Sequence, residues 1–421
     1  MTRQVLIVGQ GYVGLPIAMR AVQVGYQVVG LDNDPRRIHR LQTGDSFVED
    51  VSDTELQAAL ATGLYSASTD PAAAAGFDVA VITVPTPLRE AAPDLSYIET
   101  AAANLAPFIR PGVLVVLEST TYPGTTEELM VPILEAGSGL KAGADFQVGY
   151  SPERIDPGNP VWHFDNTPKV VAGIDEASRD AVAAFYGSIV ERVVPVKGCK
   201  EAELTKLLEN TFRHVNIALV NELAVFAKQL DIDVWDAIDA AATKPFGFMK
   251  FTPGPGVGGH CLPIDPSYLS WRVKQSLGHQ FRFVELANDV NDHMPDYTVS
   301  RLTLALNDRC KSVRGSRILL LGLAYKKNSS DARESPAVRV AELLGELGAV
   351  VDAIDPYLEA APRGLDHVTL VDLASADVAA YDAVVVLTDH DSIDFQRIAA
   401  EATYVFDARR RLAVAANVEH L

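Results

Sequence analysis

The sequence has few cysteines, an excess of negative charge and no long apolar run. Its three cysteines, Cys199, Cys261 and Cys310, stand far apart without a Cys-x-x-Cys pair, which argues against a disulfide scaffold or a zinc site. No stretch of about 18 apolar residues occurs, so we expect no membrane span. The apolar run at residues 5–8 is shorter than a signal-peptide core and ends in glycine, so we expect a cytoplasmic protein.

Positive charge is scarce: 36 Lys and Arg stand against 55 Asp and Glu, for a net charge of -19. Such a surface repels nucleic acid and anionic lipid, which excludes both as expected partners. It also repels nucleotides, so a nucleotide ligand would need local glycine loops, helix N-termini and a few cations. The length of 421 residues predicts two or three domains.

The N-terminal segment predicts a dinucleotide-binding unit. An apolar strand at residues 3–8 precedes Gly9, Gly11 and Gly14, and a helix at 15–24 and a strand at 27–31 follow. Such glycines allow a tight turn, close approach to a pyrophosphate and close helix packing, while the helix N-terminus attracts phosphate. Asp32 ends the second strand and favours NAD through the ribose hydroxyls, whereas nearby Arg37 leaves NADP open.

Two further strands, at 79–84 and 113–117, end in polar stretches at 83–87 and 118–124. Ligands bind at the carboxyl ends of strands in open α/β sheets, which favours ligand contact by Thr86 and Thr121. The alternative is ordinary turn chemistry.

Residues 201–229 lack Pro and Gly and predict one long helix. Lys206, Asn210 and Arg213 share one face of it at i, i+4 and i+7. A lysine and an asparagine stacked in this way can hold a substrate oxygen, although a solvated polar face is the alternative.

The loop at 253–259 contains four glycines and two prolines and leads directly to His260 and Cys261. Its backbone N–H groups can approach a ligand closely. Cys261, with Asp265 four residues on, fits a nucleophile that needs nearby cations for ionisation, for which Lys206 and His260 are candidates. The alternative is a flexible loop beside a structural cysteine.

The C-terminal third predicts a second α/β unit. Strands at 317–321, 350–354, 384–387 and 404–406 alternate with helical segments such as 336–347, which implies a parallel sheet. The first strand leads to a loop at 325–336 that carries Lys326 and Arg333 and suits a diphosphate. A solvated charged loop is the alternative.

Five motifs in order make the chain resemble the UDP-glucose/GDP-mannose dehydrogenase family over essentially its whole length. They are Gly9-x-Gly11-Tyr12-Val13-Gly14-Leu15-Pro16, Ser151-Pro152-Glu153-Arg154, Lys206-x-x-x-Asn210, the run from Pro253 to Cys261, and Lys326 with Asp331-Ala332-Arg333-Glu334-Ser335-Pro336. The resemblance implies an α/β fold of two Rossmann-like parallel-sheet domains joined by a long central helix and a small helical domain. We place the domains at 1–195, 196–312 and 313–421, with NAD as cofactor, a UDP-sugar substrate, no metal and a homodimer.

The resemblance also implies roles for individual residues. Cys261 is the expected nucleophile, Lys206 and Asn210 stabilise the oxyanion, and Asp265, Glu153 and Thr121 handle protons and water. The expected cofactor-binding residues are Gly9, Gly11, Tyr12, Val13, Gly14, Asp32, Arg37, Thr86 and Thr121. The expected substrate-binding residues are Glu153, Arg154, Lys206, Asn210, Arg213, Lys250, Phe251, Gly256, Gly258, Lys326 and Arg333.

The chemistry expected is a four-electron oxidation of a sugar C6 hydroxyl to a carboxylate, with Cys261 trapping the aldehyde as a thiohemiacetal and then carrying a thioester. Ile264 stands where UDP-glucose dehydrogenases usually have lysine. Together with the segments at 245–249 and 118–124, this makes the chain similar to the branch that acts on UDP-N-acetylhexosamines, with UDP-N-acetylglucosamine as the expected substrate. UDP-glucose and UDP-N-acetylmannosamine are the alternative substrates. A two-electron hydroxyacid dehydrogenase and a non-catalytic nucleotide-sugar sensor are the rival classes.

Overall fold

The computed structural model describes residues 3–89, 92–156, 159, 161–259 and 262–421. The chain divides into two compact units, of which the first contains Met1–Glu209 and Ser267–Leu277 and the second contains Asn210–Pro266 and Gly278–Leu421. In the described part of the chain, no helix combines the length and the apolar character needed to cross a bilayer. The three-domain division proposed from the sequence stays a prediction.

The first unit is built on an eight-stranded sheet with a separate short hairpin. Its strands are β1 Gln4–Val8, β2 Gln27–Leu31, β3 Tyr65–Ser68, β4 Val79–Ile82, β5 Leu88–Arg89, β6 Ala92–Pro93, β7 Leu114–Leu117, β8 Gln147–Tyr150, β9 Lys169–Gly173 and β10 Val193–Pro195. The large sheet has the order β10-β9-β8-β7-β4-β1-β2-β3, and β5 pairs with β6. All neighbours in the large sheet are parallel except β8 and β9, which are antiparallel.

Helices cover both faces of this sheet because its strands are apolar on both sides. Val5 and Ile7 of β1 belong to one hydrophobic cluster, whereas Leu6 belongs to another. The helices are α1 Gly14–Gln23, α2 Pro35–Thr43, α3 Asp53–Ala61, α4 Ser96–Leu105, α5 Val131–Ser138 and α6 Glu176–Tyr186. Several have side-chain caps, as at α2, where Asp34 accepts from Arg36 N at 2.9 Å.

The long helix α7 spans Cys199–Gln229, and the boundary between the two units falls within it. The helices that follow are α8 Val234–Ala242, α9 Asp265–Leu277, α10 Arg282–Asp292, α11 Met294–Asp308, α12 Pro336–Glu346 and α13 Phe395–Glu401. The prediction of one long helix is confirmed, and the structure begins it at Cys199 rather than at residue 201.

The second unit contains a six-stranded sheet that is parallel throughout. Its strands are β11 Arg317–Leu321, β12 Val350–Ile354, β13 Val368–Leu370, β14 Ala383–Val386, β15 Val405–Asp407 and β16 Val418–His420. They have the order β13-β12-β11-β14-β15-β16. Alternate residues of β11 again pack into separate clusters, with Ile318 and Leu320 in one and Leu319 and Leu321 in the other. The expected pair of Rossmann-like parallel sheets is thereby confirmed.

Candidate functional site

The glycine loop after β1 is shaped by its own backbone. Gly9 has φ +96°, and a Cβ on Gly14 would lie 1.9 Å from Gly9 O and 2.6 Å from Thr83 Oγ1. A Cβ on Gly11, in contrast, would meet no atom within 4 Å. Gly9 and Gly14 therefore serve close packing, whereas Gly11 faces open space where a ligand can approach the backbone. Tyr12 beside it is 48% exposed.

Asp32 lies where the predicted acid was expected, directly after β2. It is buried, accepts a hydrogen bond from Gln10 N at 3.0 Å and lies 3.6 Å from Arg37 Nη1. Asp32 and Arg37 help to line a cavity of about 430 Å³. Its walls also include Gly9 and residues along the whole of α4, from Ser96 to Leu105. The glycine cradle, the helix N-terminus and the buried acid beside this cavity fit the pyrophosphate and ribose of NAD.

The loops after β4 and β7 are joined by hydrogen bonds. Thr86 Oγ1 donates to Thr120 O at 2.8 Å, and Ser119 Oγ donates to Val84 O at 2.7 Å. Thr121 is fully buried, and its hydroxyl lies 2.6 Å from that of Thr125. These contacts hold Thr86 and Thr121 in adjacent loops at the carboxyl edge of the sheet.

Glu153 lies at the same edge, after β8. Its Oε1 accepts hydrogen bonds from Arg154 N and Ile155 N, both at 2.6 Å, and its Oε2 lies 3.0 Å from Lys169 Nζ. The Arg154 guanidinium donates to Glu209 at 2.6 Å. Arg154, expected to contact the substrate, is thus engaged within the first unit.

Sequence reasoning missed the buried group around Glu153, which consists of Lys169, Glu118 and Tyr186. Lys169 is buried at the start of β9 and also contacts the carboxylate of Glu118, which was noted only as part of a polar stretch. Tyr186, at the end of α6, donates to the other oxygen of Glu118. A lysine that opens an otherwise apolar strand was the one available signal.

In the second unit the structure brings Asn210 and Asp265 together. Asn210 Nδ2 donates to Asp265 Oδ2 at 2.5 Å, and both residues are buried although 55 positions separate them. Arg213, one turn along α7, is exposed, and Lys206, which belongs to the first unit, is half-buried.

The glycine-rich loop at 253–259 packs against the loop at 325–336 within the second unit. A Cβ on Gly256 would lie 2.9 Å from Pro336 Cβ, and a Cβ on Gly258 would lie 2.6 Å from Glu334 O. Gly259 N donates to Arg333 O at 3.1 Å. The two loops expected to bind substrate are therefore neighbours. His260 and Cys261 lie outside the described residues.

The remaining candidates of the second unit make local contacts. Lys250 Nζ donates to Asp239 at 2.5 Å, and Phe251 packs edge-on against Phe212 with ring centroids 5.8 Å apart. Arg333 pairs with Asp331 at 2.6 Å and is more than half exposed. Lys326 is half-buried.

A glycine cradle with room at Gly11, followed by a buried acid at the end of the next strand, is how a Rossmann-type oxidoreductase holds NAD. Three models of one family match in order: its NAD-binding domain at residues 3–190, its central domain at 200–293 and its UDP-binding domain at 319–413. The chain belongs to the UDP-glucose/GDP-mannose dehydrogenase family. It is an NAD-dependent nucleotide-sugar dehydrogenase.

Similar proteins match over nearly the whole chain. The UDP-N-acetyl-D-glucosamine 6-dehydrogenase of Pseudomonas aeruginosa is 36% identical over 94% of this chain and 92% of its own. The UDP-N-acetyl-D-mannosamine dehydrogenase of Pyrococcus horikoshii is 36% identical over 92% of this chain and 89% of its own. The solved structure of the UDP-D-ManNAc dehydrogenase from Pyrococcus horikoshii has a TM-score of 0.89 at 34% identity, with 99% of this chain and 98% of that one covered.

Proposed function

We propose that this enzyme oxidises the C6 hydroxyl of a UDP-N-acetylhexosamine, with UDP-N-acetylglucosamine as the first choice, to the uronic acid. The observation that carries the proposal is the buried hydrogen bond between Asn210 and Asp265, because it unites two residues assigned to the reaction from separate motifs. Family membership and the activities named for the similar Pseudomonas and Pyrococcus enzymes support the substrate class.

Asn210 and Asp265 have different roles in this proposal. Asp265 accepts one amide N–H of Asn210 and fixes the amide's orientation. The second N–H of the amide then faces a substrate oxygen and stabilises the negative charge that develops on it. Lys206, one turn earlier on α7, contributes a positive charge to the same oxygen.

Cys261 is the proposed nucleophile, from its place after the glycine-rich loop in the sequence. NAD, which the glycine loop after β1 and Asp32 would hold, would supply the hydride acceptor for two successive oxidations at C6. Between them Cys261 holds the aldehyde carbon as a thiohemiacetal, and afterwards as a thioester that water hydrolyses. Thr121 and Glu153 are the residues proposed to handle this water, with Glu153 as the base that takes its proton.

Ile264 supports an N-acetylated sugar. This position is lysine in the usual UDP-glucose enzymes, and here it carries an apolar, half-buried side chain. The ratio of kcat/KM for UDP-N-acetylglucosamine, UDP-N-acetylmannosamine and UDP-glucose measures the preference. A clear preference for UDP-glucose would contradict the assignment, and a preference for the mannosamine compound would keep the branch and change the sugar.

The expected cytoplasmic homodimer belongs to the same proposal. Three large apolar side chains of the second unit's part of α7 are 44–53% exposed and recur every seven residues along one face, at Phe212, Leu219 and Phe226. A second copy would cover this stripe. Light scattering of Leu219→Glu should report a monomer, while Leu304→Glu, at an exposed leucine of α11, should leave the dimer intact.

The reaction itself is tested by counting NADH formed per limiting UDP-N-acetylglucosamine with NAD in excess. Two NADH per sugar are expected for the four-electron oxidation. One NADH would indicate the simpler dehydrogenase, and binding without NADH would indicate a sensor. Two NADH from UDP-glucose alone would keep the chemistry and overturn the sugar.

A further inference from the structure

Three neighbouring strands of the first unit bring a buried ionic cluster to the carboxyl edge of the sheet. Glu118 directly follows β7, and Glu153 follows β8 by three residues. Because β9 runs antiparallel to β8, its first residue, Lys169, lies at the same edge. These three side chains form the Glu118–Lys169–Glu153 cluster.

The Lys169 ammonium joins the two carboxylates. It contacts Glu118 Oε1 and lies 3.0 Å from Glu153 Oε2. The rings of Phe164 and Tyr186 each lie 5.3 Å from Nζ, so the cation is enclosed by aromatic faces as well. Its side chain is only 4% exposed.

The cluster contains two carboxyl groups and one ammonium, which leaves one negative charge unbalanced if both carboxyls are ionised. Two carboxylates that share a buried site do not both ionise readily, so one proton is expected to stay on the pair. Glu118 is the better holder, because its side chain is 0% exposed and burial raises its pKa to about 8.

Glu153 keeps the charge for three reasons. Two backbone N–H groups point at its Oε1, Lys169 faces its Oε2, and its side chain is 10% exposed. Burial raises the pKa of Glu153, but the charge of Lys169 and hydrogen bonds from Glu118, Lys169 and Ile155 N outweigh burial and hold the pKa below its usual value. Burial likewise lowers the pKa of Lys169, yet the two carboxyls leave it above its usual value.

We propose that Lys169, backed by a protonated Glu118, is a positioning residue that keeps Glu153 ionised and fixed in place for its proposed role as the base in thioester hydrolysis. The proposal rests on the function proposed above. In the step, the water oxygen attacks the thioester carbonyl carbon while Glu153 takes one proton of the water. The carbon–sulfur bond then breaks, and the Cys261 sulfur leaves with the bonding pair as the carboxylic product forms.

Other ionisable groups adjoin the cluster without replacing Lys169. Tyr186 donates its hydroxyl to Glu118. Arg154 follows Glu153 in the chain, but its guanidinium binds Glu209 and Pro168 O. In the described part of the first unit, Lys169 is the cation that pairs with Glu153.

Lys169→Gln tests the proposal by separating oxidation from hydrolysis. We expect the first turnover to form NADH while kcat falls by about 10- to 100-fold, with the acyl-enzyme visible by intact-protein mass spectrometry. The acidic limb of the kcat–pH profile should move up by about one pH unit or more, because Glu153 loses its cation. Lys169→Arg should restore part of kcat and return the limb toward its original position.

Lys141→Gln is the matched control, since its ion pair with Glu135 lies at the surface of the same unit, where Lys141 is 73% exposed. It should leave kcat and the pH profile unchanged. A fall in kcat for Lys169→Gln without acyl-enzyme and without a shifted limb would show a merely structural lysine and overturn the inference.

If Lys169→Gln does not fold, Glu118→Gln tests the proposal through the protonation state of Glu118. Glutamine imitates a protonated glutamate, so kcat should stay within about threefold of the wild type and the acidic limb should stay in place. A loss of about tenfold or more would mean that an ionised Glu118 is required, which contradicts the proposal. The wild type is assayed first. If it forms no NADH from any UDP-sugar, both the proposed function and the role of Lys169 are wrong. If it forms two NADH per sugar, a negative result with the variants contradicts only the role of Lys169.

Discussion

The buried carboxylate of Glu203 holds Thr126 by two groups at once. Its Oε1 accepts from Thr126 N at 2.9 Å and from Thr126 Oγ1 at 2.7 Å, while Oε2 accepts from Gly124 N at 2.6 Å. Helix α7 thereby anchors the turn that follows Thr121. Glu203, which belongs to none of the motifs, thus supports the loop at the carboxyl edge of the sheet.

Glu203 should make stability depend on pH. Burial raises its pKa to about 7, although the hydrogen bonds from Gly124 and Thr126 oppose this. The folded state then binds the proton more tightly than the unfolded state. Its contribution to stability is full below the unfolded pKa of about 4.5 and is lost as the pH rises through 7.

Glu203→Gln removes this titration. The difference in unfolding free energy between the wild type and the variant should therefore shrink by up to about 3 kcal/mol between pH 5 and pH 8.5, as measured by chemical denaturation. Glu222→Gln, at an exposed glutamate of the same helix, should show no such trend. A difference that grows with pH would contradict the argument.

Asn210→Ala should lower kcat by roughly 100- to 1,000-fold, because the amide is proposed to stabilise the oxyanion and alanine cannot replace it. Steady-state kinetics with the UDP-sugar measures the loss. Asn216→Ala on the same helix is the control, since the Asn216 amide bonds to Phe212 O within its own helix. Equal losses in both variants would assign the effect to the helix and not to the site.

Gly11→Ala and Gly14→Ala should separate NAD binding from folding. A methyl group at Gly14 would overlap Gly9 O, so this variant should lose about 5 °C or more in Tm. A methyl group at Gly11 meets open space in the protein, so Gly11→Ala should keep its Tm and bind NAD about tenfold more weakly. Calorimetry of unfolding and of NAD titration distinguishes the two, and an unchanged NAD affinity in Gly11→Ala would contradict the predicted contact.

Asp32→Asn should reduce the preference for NAD over NADP by roughly 10- to 100-fold, because a hydrogen bond to a charged carboxylate is lost and Arg37 becomes available to a 2′-phosphate. The amide oxygen can still accept from Gln10 N, which preserves the loop. The kcat/KM ratio for the two cofactors measures the effect. Asp34→Asn, at the nearby cap of α2, should leave that ratio unchanged.

Local patterns determined much of this protein in advance. The predicted succession of strand, glycines, helix, strand and acid matches the fold, with Gly9 directly after β1, Gly14 at the start of α1 and Asp32 directly after β2. Such a succession is readable because each part depends on its neighbours in the chain. Strands β11 and β12 were predicted to their end residues, since buried parallel strands are short apolar runs bounded by turns. The strand predicted at 79–84 ends at Ile82, and the hydroxyl of the next residue, Thr83, donates to Val8 O and Gly9 O at the turn after β1.

Only the tertiary structure decided which distant side chains meet. Asn210 and Asp265 each belong to a recognisable sequence pattern. Their hydrogen bond, however, depends on how the chain folds back over the 55 positions that separate them. Lys169 had no motif, and Glu118 was only one residue of the polar stretch at 118–124. They meet because β9 lies antiparallel beside β8 at one end of the sheet, an arrangement that no local pattern specifies. Sequence periodicity reports which face of an element is buried, whereas strand order and direction are set by packing over the whole unit.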